Sequence, residues 1–122
     1  MELLTFLEND DLENFEENLS ISTIEETDRK GNTILHFAVL EKKINFVEVL
    51  LYHGADPNIE NKDEDTPLHM AARLDLDEIF ELLLKYGADL YQENDFNEIP
   101  KDIAEEYHSK KVLKIIENVE EE

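Results

Sequence analysis

The chain has 122 residues, 41 % of them hydrophobic, with 32 acidic against 11 basic side chains and a net charge of -21. That size fits one domain with a core, and the absence of cysteine excludes disulfides, thiol nucleophiles and cysteine-ligated metal and fits a reducing compartment such as the cytoplasm. The charge excludes direct contact with nucleic acid or an anionic membrane surface, whose phosphates would be repelled, and favours a basic protein partner, which would be steered in.

No apolar run approaches the ~20 residues that cross a bilayer, and the start lacks the basic segment of a secretory signal. Residues 1–27 hold nine acids and no base. Their apolar positions, Leu3, Leu4, Phe6 and Leu7, then Leu12, Phe15 and Leu19, predict two short helices with the acids facing outward.

From Asp28 onward two blocks recur with a period of 33 residues. Thr33, Leu35, His36 and Ala38 match Thr66, Leu68, His69 and Ala71. Leu50-Leu51-Tyr52-His53-Gly54-Ala55-Asp56 matches Leu83-Leu84-Lys85-Tyr86-Gly87-Ala88-Asp89. Each register opens on an Asp/Asn-rich segment suited to a turn: 28–32, 61–65 and 94–98. A short helix A follows, with Thr66 as N-cap and Pro67 at the first helical position. Helix B carries Phe46, Val47, Val49, Leu50 and Leu51 in one register and Ile79, Phe80, Leu82, Leu83 and Leu84 in the next. Gly54 and Gly87 end it. One such pair cannot bury both faces; stacked neighbours can. The third register keeps Pro100 and Ala104 in frame but has Ile99 for Thr, Lys101 for Leu and Asp102 for His, which predicts a unit with a polar outer side. Val112, Leu113, Ile115 and Ile116 form its last apolar face, and Glu117 to Glu122 reads as a frayed acidic tail.

The period, the Thr66-Pro67-Leu68-His69 motif and the two Gly-Ala-Asp blocks resemble the ankyrin repeat. The resemblance implies an all-α solenoid with β-turn tips: a helical N-terminal cap at 1–27, repeats at 28–60 and 61–93, and a degenerate C-terminal repeat with its tail at 94–122. It also implies that His36 and His69 are structural, each bonded to its turn and to the Thr hydroxyl. Stacked repeats would hold them ~10 Å apart, whereas one zinc needs ligands at about 2.0–2.1 Å. The family usually has Gly between helices A and B, where Lys42 and Asp75 stand here, so either a left-handed residue or a shifted turn is expected. Ile34 replaces Pro, and Tyr91 replaces the Asn seen at 58, which predicts one lost side-chain-to-backbone bond.

Neither the three glycines nor the scattered Ser, His and carboxylate residues form a phosphate loop, a calcium loop or a nucleophile–base pair. The expectation is therefore a non-catalytic protein-binding module with no cofactor or metal, monomeric on its own. The resemblance implies contacts on the concave side, made of tips and the exposed side of helix A. The first repeat contributes Arg29, Lys30, Asn32, Leu40, Glu41 and His53. The second contributes Lys62, Asp63, Asp65, Arg73, Leu74 and Tyr86, and the third Asp95, Phe96, Glu98, Glu106 and Tyr107. Phe96 either anchors a partner or folds back to cap the last unit. Charge and size favour an inhibitor or toxin-neutralising immunity protein; a scaffold subunit and a metal-dependent enzyme are the alternatives.

Overall fold

A computed structural model describes residues 1–121. Among them the regular structure is entirely helical. Three complete helix pairs follow the 33-residue period: α4 (Ile34–Leu40) with α5 (Ile44–Tyr52), α6 (Pro67–Arg73) with α7 (Asp77–Lys85), and α8 (Pro100–Glu106) with α9 (Lys110–Glu120). Upstream lie α1 (Glu2–Glu8), α2 (Leu12–Glu17) and α3 (Ile21–Glu25).

The A helices form one layer, in which α1 packs on α4, α4 on α6 and α6 on α8. The B helices form a second layer, in which α2 packs on α5, α5 on α7 and α7 on α9. Between the layers lie Leu35 and Leu68, Val47 and Phe80, and Leu50, Leu83 and Ile116, all buried. Ala38, Ala71 and Ala104 occupy one repeat position and are fully buried. A larger side chain there would hold adjacent A helices apart.

The helix starts follow from local chemistry. Thr33 and Thr66 cap α4 and α6 by accepting the N–H of His36 and His69. At α8 only half of the exchange remains: Ile99 has no capping oxygen, while the Asp102 carboxylate accepts the Ile99 N–H at 3.0 Å. Left-handed residues close every A–B turn: Asp10, Lys42, Asp75 and His108 have φ of 57°, 61°, 54° and 56°. The chain keeps the turn geometry without glycine, at a cost of ~1 kcal/mol or more for each. Gly54 and Gly87, at φ 93° and 96°, end α5 and α7 as the sequence predicts.

Two expectations are corrected. The N-terminal region has a third helix: Ser20 and Thr23 form a reciprocal capping box that starts α3, a segment of five residues too short to show a helical period. The C-terminal acids are not frayed as far as they are described. Helix α9 runs to Glu120, whose carboxylate takes Lys101 Nζ at 3.1 Å and the Tyr91 hydroxyl at 3.4 Å. That carboxylate holds the Lys101 ammonium above its ordinary pKa. Glu122 lies outside the described residues.

Candidate functional site

The three tips are built alike. The first side chain of each, Asp28, Asn61 and Asn94, accepts backbone N–H groups two and four residues on, at 2.9–3.1 Å. Successive tips are then tied together. Lys62 N–H donates to the Lys30 carbonyl at 2.9 Å, and Asp95 N–H to the Asp63 carbonyl at 3.0 Å. The amides of Asn61 and Asn94 donate to the side chains of Asn32 and Asp65, both at 3.0 Å.

The histidines complete the link between units. The backbone N–H of Thr33 donates to His36 Nδ1 at 3.0 Å, so the ring proton sits on Nε2, which donates to the Asp65 carbonyl at 3.1 Å. His69 repeats this with Thr66 at 3.1 Å and the Glu98 carbonyl at 2.8 Å. Both rings are fully buried, with each nitrogen engaged, so neither offers a lone pair to a metal. Burial holds His36 below the ordinary imidazole pKa, against the weaker opposing effect of its Asp65 carbonyl bond.

This bonding corrects two expected contact residues. Asn32 and Asp65, placed on the open tip by the sequence reading, are only 8 % and 9 % exposed. Asn32 receives the Asn61 amide. The Asp65 carboxylate receives the Asn94 amide and stands 3.5 Å from Arg73 Nη2. Glu98 is half-buried, and its carboxylate accepts the Asn94 amide at 3.1 Å. His53 and Tyr86 stand just past the last residues of α5 and α7; His53 pairs with Glu16 at 2.9 Å and Tyr86 packs on the core.

The other expected positions differ in being open to solvent. Arg29, Lys30, Lys62, Asp63 and Asp95 are exposed on the tips, and Glu41 and Glu106 on the ends of α4 and α8. Large apolar groups stand among them: Phe96 is 71 % exposed, Tyr107 51 %, Leu40 40 % and Leu74 38 %. Phe96 therefore does not fold back over the last unit. Arg73, between Asp65 and the Tyr107 ring, lies 5.8 Å from the ring centroid. One exposed apolar residue escaped the sequence reading. Ile21 is 80 % exposed on α3, and the Ser20-x-x-Thr23 capping pattern is the signal that could have placed it on a helix.

Residues 3–94 match the family model described as ankyrin repeats (3 copies). The chain belongs to the ankyrin repeat family. The match begins inside α1 and ends at the start of the third tip, and Asp10 takes the left-handed turn conformation between α1 and α2. Ankyrin repeats are in general protein–protein interaction modules. The chain is 39 % identical over 64 residues, half its length, to a protein of Rickettsia felis named as an ankyrin repeat protein, 27 % of which is covered. Over 62 residues, 51 % of the chain, it is 39 % identical to the human transient receptor potential cation channel subfamily A member 1, 6 % of which is covered. Over 41 residues, 34 % of the chain, it is 54 % identical to an ankyrin repeat protein of fowlpox virus, 12 % of which is covered. The chain thus spans about a quarter or less of the curated relatives it matches. No helix of the described residues is long and apolar enough to cross a membrane.

Proposed function

We propose that this ankyrin chain is a non-catalytic module that binds a partner protein across the face made by its tips and A-helix ends. The observation that carries this reading is the exposure of Leu40, Leu74, Phe96 and Tyr107 on consecutive repeats beside tips that are bonded to one another. Exposed aromatic and aliphatic groups on a rigid support make good anchors, because little conformational freedom is lost on binding. The finer form of the proposal is an inhibitor that sequesters one basic protein in the manner of an immunity protein. Its support is the net charge of -21, which raises encounter rates with a cation-rich partner.

The test starts with the protein that cross-links to a tagged chain inside its source cells. Affinity for that protein should fall by about thirty-fold or more in Leu74→Arg and in Tyr107→Arg, the size expected for central anchors. It should stay within about three-fold in Glu48→Arg and Glu81→Arg on the B-helix face, where exposed rim charges contribute little. The reverse pattern refutes the site. Its electrostatic part fails if the association rate is the same at low and high ionic strength.

A further inference from the structure

The charges on the candidate face are not spread evenly. Arg29, Lys30 and Lys62 sit on the first two tips, and the 2.9 Å bond from Lys62 N–H to the Lys30 carbonyl places their backbones side by side. The packing there is close: a Cβ on Gly31 would lie 2.9 Å from the Lys62 nitrogen. Among the described residues none of the three reaches a carboxylate within ion-pair distance, although Lys43, Arg73 and Lys101 all do. The carboxylate on the first tip, Asp28, is already engaged by two backbone N–H groups, which hold its pKa below the ordinary value.

The far end has the opposite sign. The third tip, residues 94–98, contains Asp95 and Glu98 and no base. Asp63 and Glu64 precede it on the second tip and Glu106 lies on α8, all three exposed. Leu40, Leu74, Phe96 and Tyr107 supply the apolar contacts. Along the tips the exposed charge therefore changes from mainly basic at the first to acidic at the third, with Leu40, Leu74 and Tyr107 at the A-helix ends of the three successive repeats.

We infer that the occupant of this face is a polar-ended stretch of partner protein, with carboxylates over Arg29, Lys30 and Lys62, apolar side chains over Leu40, Leu74 and Tyr107, and cations over Asp95. This rests on the proposed reading of the face as the contact surface. It also narrows the expectation of a basic partner. Net charge favours such a protein at long range, but a uniformly basic segment would meet three like charges at one end of the face. Two repeat steps of about 10 Å separate the end tips, a span that roughly six extended residues cover at about 3.4 Å each.

Synthetic peptides of identical composition and zero net charge test the inference. Two have three glutamates at one end, a Leu-Phe-Leu middle and three lysines at the other, one in each chain direction, so that the charge centres lie about six residues apart; a third interleaves the same charges. At low salt, one of the polar-ended peptides should bind about five-fold or more tighter than the interleaved one, since matched opposite charges add to contacts that all three share. A nitroxide on its glutamate end should broaden the amide signals of Gly31 and Lys62, and one on its lysine end those of Asp95 and Asn97. In the variant carrying Arg29→Glu and Lys30→Glu, both on exposed tips, the preference should vanish with the circular dichroism unchanged. Equal binding of all three peptides on the tips, a glutamate end at the third tip, or no saturable binding overturns the inference while leaving the contact face standing. Broadening confined to α5 and α7 overturns the contact face itself.

Discussion

Replacing His69 with Leu is the sharpest test of how the repeats are held together. The ring is fully buried and makes two backbone bonds: Thr66 N–H donates to Nδ1 at 3.1 Å, and Nε2 donates to the Glu98 carbonyl at 2.8 Å. Leucine fills the volume, so the cavity contribution is small, but both backbone groups lose their partner. The Thr66 N–H is buried and costs about 1–3 kcal/mol unpaired; the Glu98 carbonyl, on a half-buried residue that water reaches, adds about 1 kcal/mol. Better burial of the apolar side chain returns up to about 1 kcal/mol. The expected loss is about 1–4 kcal/mol, a large share of the roughly 5–15 kcal/mol that stabilises a domain. Asp102 provides the internal control. It sits at the same repeat position, accepts the Ile99 N–H at 3.0 Å and is exposed, so Asp102→Leu removes one solvated cap bond worth ~1 kcal/mol. Equilibrium urea unfolding at pH 7.5 with a common slope measures both. A cost below about 1 kcal/mol for His69→Leu, or equal costs for the two variants, would refute the claim that this imidazole bolts one repeat to the next.

The pH dependence of stability should carry the signature of His36. Burial lowers its folded-state pKa below the ordinary 6.5, so its contribution is complete above pH 6.5 and is lost as pH falls, when the unfolded chain binds a proton that the folded chain refuses. Urea midpoints from pH 7.5 to 5.5 should drop more in the native chain than in His36→Leu; parallel profiles would contradict the assignment. Lys42→Gly, at φ 61° with an exposed side chain, should stabilise by about 0.5–1 kcal/mol, measured by thermal unfolding. Asp75→Gly, at φ 54°, should gain nothing, because the Asp75 carboxylate accepts the Val112 N–H at 3.0 Å and caps α9. Gly31→Ala should destabilise by about 1–3 kcal/mol in urea, since the residue has φ 77° and a Cβ would strike the backbone of the next tip.

The helix pairs were legible because each feature repeats at one period: Thr33 and Thr66 at the starts, apolar pairs such as Leu50 and Leu83 inside, Gly54 and Gly87 at the ends. The left-handed turns at Lys42 and Asp75 are half legible: a missing glycine allows either a left-handed residue or a shifted turn, and the packing of helix B on helix A holds the first. The Tyr-for-Asn departure at 91 is legible as the bond it removes. Asn58 ties the Gly87 carbonyl and the Asp89 N–H, whereas Tyr91 turns its hydroxyl to Glu120. Asn32 and Asp65 were misplaced for a general reason. A polar residue on a tip looks available until the next tip is laid beside it, and the Asn61 and Asn94 amides that claim them are 29 residues away.

The same accounting changes what the net charge can say. At physiological salt a charge is screened over about 8 Å, and neighbouring tips are spaced by roughly 10 Å, so each tip presents its own sign to a docked group while the sum acts only on approach. On the first tip Arg29 and Lys30 outnumber the ionised Asp28 carboxylate, whereas the third tip carries Asp95 and Glu98 and no base. An acidic total of -21 therefore coexists with a cationic docking end. The two act at different stages of association: the total sets how fast a cation-rich protein arrives, and the order of free charges along the tips sets which of its segments stays.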